Sequence, residues 1–176
     1  MKLTEKLLWF LLLTSILLRI LFVEYFLIVI LVGMITAVFY GALSVPLLNQ
    51  LPFSSVFKHE IYKKSFNLWL GCQLTGKMYG IACASIILVM VAFPGAYFML
   101  TAAELLLIIN LIFVLFKSRS KPNDKVYRAI IQRDIYFLFI TSIFLCFAYA
   151  PVHIRNKVFF EPLYTADSAH TIQVNN

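Results

Sequence analysis

Predominantly apolar stretches follow one another along the chain: Leu7 to Val45, in which Arg19 and Glu24 are the charged interruptions, then Asn67 to Phe93, Ala96 to Phe116, and about 130–150. As one helix the first stretch would be about 58 Å long, twice the hydrocarbon thickness of a bilayer, so it must turn. Arg19 and Glu24 mark that turn and divide it into spans of about 5–23 and 25–45. Pro46 and Pro52, with Asn49 and Gln50 between them, end the second span. Pro94-Gly95 leaves room only for a tight hairpin between the third span, about 67–93, and the fourth, about 96–116. Lys117 to Asp134 reads as a polar segment in which a helix begins at Asp124 and continues into the fifth span.

The pattern predicts an all-α polytopic transmembrane bundle of about five spans, two similar helical hairpins plus a fifth helix, over residues 1–152. A polar extracytoplasmic tail, 153–176, follows. Between the second and third spans, residues 53–66 fit a short basic amphipathic helix on the membrane surface, with Phe57, Ile61 and Phe66 to one side; a solvated loop fits them equally.

Composition agrees with this pattern: 62% of the 176 residues are hydrophobic and 13% charged, and the mean hydropathy is +0.90. Soluble domains carry about a quarter charged residues. Secreted disulfide scaffolds, coiled coils, disordered tails and nucleic-acid-binding modules are excluded. The 15 Lys and Arg against 8 Asp and Glu do not form a nucleic-acid footprint, because of where they fall. Lys58, Lys63 and Lys64 cluster between two spans, and Lys117, Arg119, Lys121, Lys125, Arg128 and Arg133 between two others. Such loops belong in the cytoplasm. With Lys2 and Lys6 they make eleven cations on the inner side, so the expectation is a bacterial inner-membrane protein with N-terminus inside and C-terminus outside. No small-residue cleavage site follows Lys2 and Lys6, so the first span reads as uncleaved.

The two hairpins align over short stretches, Phe22-Val23-Glu24-Tyr25-Phe26-Leu27 with Phe93-Pro94-Gly95-Ala96-Tyr97-Phe98-Met99, as a parallel repeat. Phe93 to Leu100 resembles the Trp-Pro-Gly-type hairpin turn of small uncharacterised membrane proteins of the Bacteroidota, and Val56 to Lys64 resembles their short basic loop. More distantly, the turn is similar to the two-helix membrane portion of the gliding-motility and type IX secretion motor protein L. That resemblance implies a proton-conducting stator with a glutamate in the helix after the turn, a position for which Glu104 is the candidate. The chain departs from the motor pattern in lacking its long cytoplasmic region and in having no Pro-Gly in the first hairpin.

Glu104 lies eight residues into the fourth span, about 12 Å from its outer end. A carboxyl at that depth must be neutral, paired or facing water. It serves either as a proton or ion relay or as a packing lock, with Arg19 as its candidate ion-pair partner. In a hairpin turning at Pro94-Gly95, Ser85 is the residue expected level with Glu104, and Lys77 snorkels to the inner headgroups. Asn110, Thr36, Tyr40 and Thr101 could extend a polar track. Gly76, Gly80 and Ala84 form a small-residue stripe for close helix packing, on α-helical neighbours of this chain or on a second copy.

Cys72, Cys83 and Cys146 read as small core residues, and His59, His153 and His170 lack metal-ligand spacing. Neither a cofactor nor a metal is implied. The function expected is that of a non-enzymatic membrane subunit or scaffold, with the lipid bilayer, other membrane proteins or a second copy as partners and no nucleic acid. The alternative is a proton or ion pathway through Glu104; a small-molecule transporter or an intramembrane enzyme ranks behind both.

Overall fold

The computed structural model describes residues 2–21, 26–48, 66–91, 93–120 and 124–151, and within them it holds five α-helices and no strand. They are α1 (Lys2–Leu21), α2 (Phe26–Leu48), α3 (Phe66–Met90), α4 (Ala96–Ser120) and α5 (Lys125–Ala148). The helices α2 to α5 each contain a stretch long and apolar enough to cross a membrane. With 20 residues α1 is also long enough, at about 30 Å. It carries Lys2, Glu5, Lys6 and Arg19, and Glu5 is neutralised inside the bundle.

The exposed surface is apolar in the manner of a bilayer protein. Leu27, Leu31 and Val38 of α2 and Ile109, Phe113 and Phe116 of α4 face outward. A patch of this kind marks contact with lipid or another apolar phase. The chain is a multi-pass helical membrane protein.

Helix α3 is the centre of the bundle: 56% of its span is buried, against 28% for α4 and for α5. It packs on α2, α4 and α5, and its pairing with α2 is the most extensive in the fold. Gly76 and Gly80 explain that closeness. A Cβ at Gly76 would collide with Ser44 Cβ and sit 2.6 Å from the Tyr40 carbonyl; one at Gly80 would lie 3.0 Å from the Ala37 carbonyl. With Ala84 half-buried on the same helix, the small-residue stripe meets α2 of its own chain. Ser44 Oγ donates to Gln73 Oε1 across the same seam at 3.2 Å.

Helix ends depart from the sequence expectation in three places. The second helix continues through Pro46 to Leu48, because Leu47 and Leu48 are buried in the core and hold the last turn in place. The third ends at Met90 rather than Phe93. Its closing turn needs the Phe93 N–H on the Leu88 carbonyl (2.9 Å), and Gly95, at φ +80°, then reverses the chain beside Pro94. The fourth runs on to Ser120, which draws Lys117 and Arg119 out of the loop and onto a helix. Asp124 caps α5 as its position suggests, its side chain accepting from Val126 N at 2.9 Å.

The first turn near Glu24, the basic segment 53–65, all three histidines and the tail from 152 lie outside the described residues. Cys72 and Cys83 are buried, whereas Cys146 is exposed and is not a core residue.

Candidate functional site

The polar side chains of α5 organise the interior. Helix α5 starts at Lys125, so Arg133 and Asp134 stand about 12 and 14 Å along it, more than two turns in. From sequence both fall where the basic cytoplasmic segment 117–134 overlaps the fifth span of about 130–150. In the structure Asp134 is fully buried and the Arg133 side chain is only 14% exposed. The physical reason is helix rotation: Asp134 lies on the buried face of α5 with Ile130 and Phe137, and Arg133 reaches Glu5.

Arg133 turns back toward the helix start, as helical side chains do, and meets Glu5 of α1. Its Nη2 lies 2.6 Å from Glu5 Oε2 and its Nε 2.7 Å from Oε1, a two-point ion pair. Tyr40 of α2 donates its hydroxyl to the same Oε1 at 3.0 Å and accepts from Trp9 Nε1 at 2.7 Å. Three helices therefore converge on one carboxylate.

One residue on, Asp134 anchors a second cluster. Its Oδ1 accepts from the Tyr79 hydroxyl at 2.7 Å, and Asn110 Nδ2 donates to both oxygens, at 3.1 and 2.9 Å. Asn110 Oδ1 in turn accepts from Thr75 Oγ1 at 3.2 Å. This ties α3, α4 and α5 together. Phe137 joins the two clusters through apolar contact: it stacks on Tyr79 with centroids 4.4 Å apart and meets Tyr40 and Trp9 edge-on at 5.2 and 5.0 Å.

Glu104, half-buried on α4, accepts from Ser142 of α5 through Oε1. Its Oε2 is buried and has no hydrogen-bond partner among the described residues. Of Arg19 only the backbone, in α1, is described, so the expected ion pair with Glu104 lies outside the described side chains. The hairpin register also differs from expectation. Ser85 Oγ donates to the Met99 carbonyl at 3.3 Å, not at the level of Glu104, because the third helix ends early and the turn lies nearer Phe93. Lys77 is exposed. Thr36 bonds back to Val32 of its own helix, and Thr101 reaches Tyr149 at 3.2 Å.

Between α4 and α5, then, stand three polar rungs: Thr101 with Tyr149, Glu104 with Ser142, and Asn110 with Asp134. Nine ångströms or so of α4 separate the last two, and apolar Leu107 is buried between them. The rungs hold helices together, and among the described residues they do not form a continuous hydrogen-bonded chain of side chains. Among the described residues no group of three or more His, Cys, Asp or Glu converges on a point where a metal could bind.

Of the residues that hold the interior, Glu5, Asp134, Tyr79 and Trp9 are not singled out from sequence, and Arg133 is expected only as one of the cytoplasmic cations. The signal available was the Asp124 cap, which puts Arg133-Asp134 deep in the helix that it starts. Comparison with family models, with curated proteins and with solved structures finds no match to this chain.

Proposed function

We propose that the protein is a non-enzymatic integral membrane subunit, a helical scaffold of a larger membrane assembly. The observation that carries this reading is the use of its buried polar groups. Arg133 binds Glu5, and Asp134 binds Tyr79 and Asn110, so each charged group deep in α5 is committed to another helix of the same bundle. Polar contacts of this type act as glue between helices in lipid. The cations at the ends of α4 and α5 support a cytoplasmic placement of that end, with N-terminus inside and C-terminus outside. The resemblance of the Phe93 to Leu100 turn to Bacteroidota membrane proteins supports a bacterial inner membrane. Purification of the native protein from its own membrane in mild detergent tests the reading: a stoichiometric partner protein is expected, and a lone monomer contradicts it.

A second reading, a proton pathway of stator type, is favoured by one observation, the buried Oε2 of Glu104, which has no hydrogen-bond partner among the described residues. Liposomes containing the protein distinguish the two. A proton flux that Glu104→Gln abolishes while folding stays intact would replace the scaffold with the pathway; no flux above that of empty liposomes leaves the scaffold standing.

A further inference from the structure

The backbones of α1 and α5 approach each other closely at two positions at most, and the side chains of Glu5, Arg133, Trp9 and Phe137 bridge the two helices. Between the two helices lies a cleft of about 770 Å³. Its chemistry changes with depth. Lys6, Lys125 and Arg128 stand at the mouth, near the helix starts; Phe10, Leu13 and Tyr136 line it further in. Among the described residues no acidic side chain pairs with the three cations, while Glu5, the one acid of the cleft, is already neutralised by Arg133. The mouth therefore carries an unbalanced positive charge, and the interior is aromatic and aliphatic. Phe10, Leu13 and Tyr136 are more than half exposed within it.

We propose that this cleft is a binding site for one anionic phospholipid of the leaflet at the basic end of the bundle. The phosphate would sit among Lys6, Lys125 and Arg128, and an acyl chain would lie along Phe10, Leu13 and Tyr136. A soluble anion has no use for the apolar wall, and an uncharged lipid has none for the three cations. Basic pockets between membrane helices recognise acidic headgroups by this combination. The site is independent of the scaffold role proposed above.

Trp9 lines the cleft and provides the reporter. The full chain bearing Trp69→Phe, which leaves Trp9 as its tryptophan, is reconstituted in phosphatidylcholine vesicles containing a minor fraction of lipid brominated on its acyl chains. Brominated phosphatidylglycerol should quench Trp9 as though enriched about tenfold over equally dilute brominated phosphatidylcholine. The triple variant Lys6→Gln, Lys125→Gln, Arg128→Gln should quench equally with both. Lys117→Gln with Arg119→Gln, which removes two exposed cations from α4 at the same end but outside the cleft, should keep the preference. Equal quenching of the parent protein by the two lipids overturns the proposal. So does a preference that the triple variant retains, or one that the α4 variant loses, which would show general surface attraction. Inorganic phosphate should not relieve the quenching; relief would mark a site for free anions instead. Quenching by neither lipid in a chain that migrates as a dimer would place a second copy in the cleft and equally overturn the proposal.

Discussion

Arg133 of α5 grips Glu5 of α1 at two points, 2.6 and 2.7 Å, and so closes the bundle between residues 128 positions apart. Helix α1 packs most extensively on α2, and this pair, together with the Trp9–Phe137 edge contact, fastens it to α5. Removing one partner leaves the other charge enclosed and unpaired. Arg133→Leu and Glu5→Leu should each lower the unfolding free energy in detergent by about 2–3 kcal/mol. Hydrogen exchange should rise first in α1. Unchanged exchange there would show that apolar packing holds α1 without the ion pair.

The small-residue stripe yields a prediction with opposite signs at two glycines. Gly76→Ala should destabilise by about 1–3 kcal/mol, since the new methyl meets Ser44 Cβ and the Tyr40 carbonyl, and backbone cannot yield as a flexible side chain would. Gly71→Ala meets nothing within 4 Å and should be neutral or stabilising by up to about 1 kcal/mol through helix propensity. Thermal midpoints of the two variants, measured side by side, check the contrast.

Glu104 and Ser142 separate a hydrogen bond from a charge. Glu104→Gln keeps an oxygen able to accept from Ser142 and should change stability by less than about 1 kcal/mol. Ser142→Ala removes the donor and leaves a half-buried carboxyl without its partner, and should cost more than Glu104→Gln does. The unfolding free energies of the two variants, compared in the same detergent, decide it. The reverse order would mean that the charge of Glu104 contributes to packing.

Crossing by all five helices would place the two ends of the chain on opposite sides of the membrane. Reporters active on one side only, fused to each terminus in turn, should therefore give opposite readings, with the N-terminal one cytoplasmic. Like readings would show that α1, with its four charged residues, does not cross.

Much of the architecture was legible because it depends on local rules. Apolar stretches of about 20 residues, the Pro94-Gly95 reversal and the Asp124 cap each act within a turn or two of chain. Helix ends were less so: buried Leu47 and Leu48 carry α2 through Pro46, and that burial is a tertiary fact. The polar interior is less legible. Arg133 and Asp134 fall where the basic segment meets the fifth span, and the rotation of α5 and its distant partners decide that they turn inward. Glu5, between Lys2 and Lys6, looks like part of a solvated start because its partner is far away in sequence. Asn110 and Tyr40 were visible as polar residues in apolar spans, but helix rotation alone decides what they face, and Asn110 faces Asp134.

Asp134 and Asn110 act as a clasp between α4 and α5. The most direct test is the unfolding free energy of Asp134→Leu, Asn110→Leu and the double variant, measured in one detergent. Each single change should cost about 2 kcal/mol, because it strands the other's polar groups in the core, and the double should cost no more than the worse single. Single variants as stable as the parent protein, or costs that simply add in the double, would contradict it.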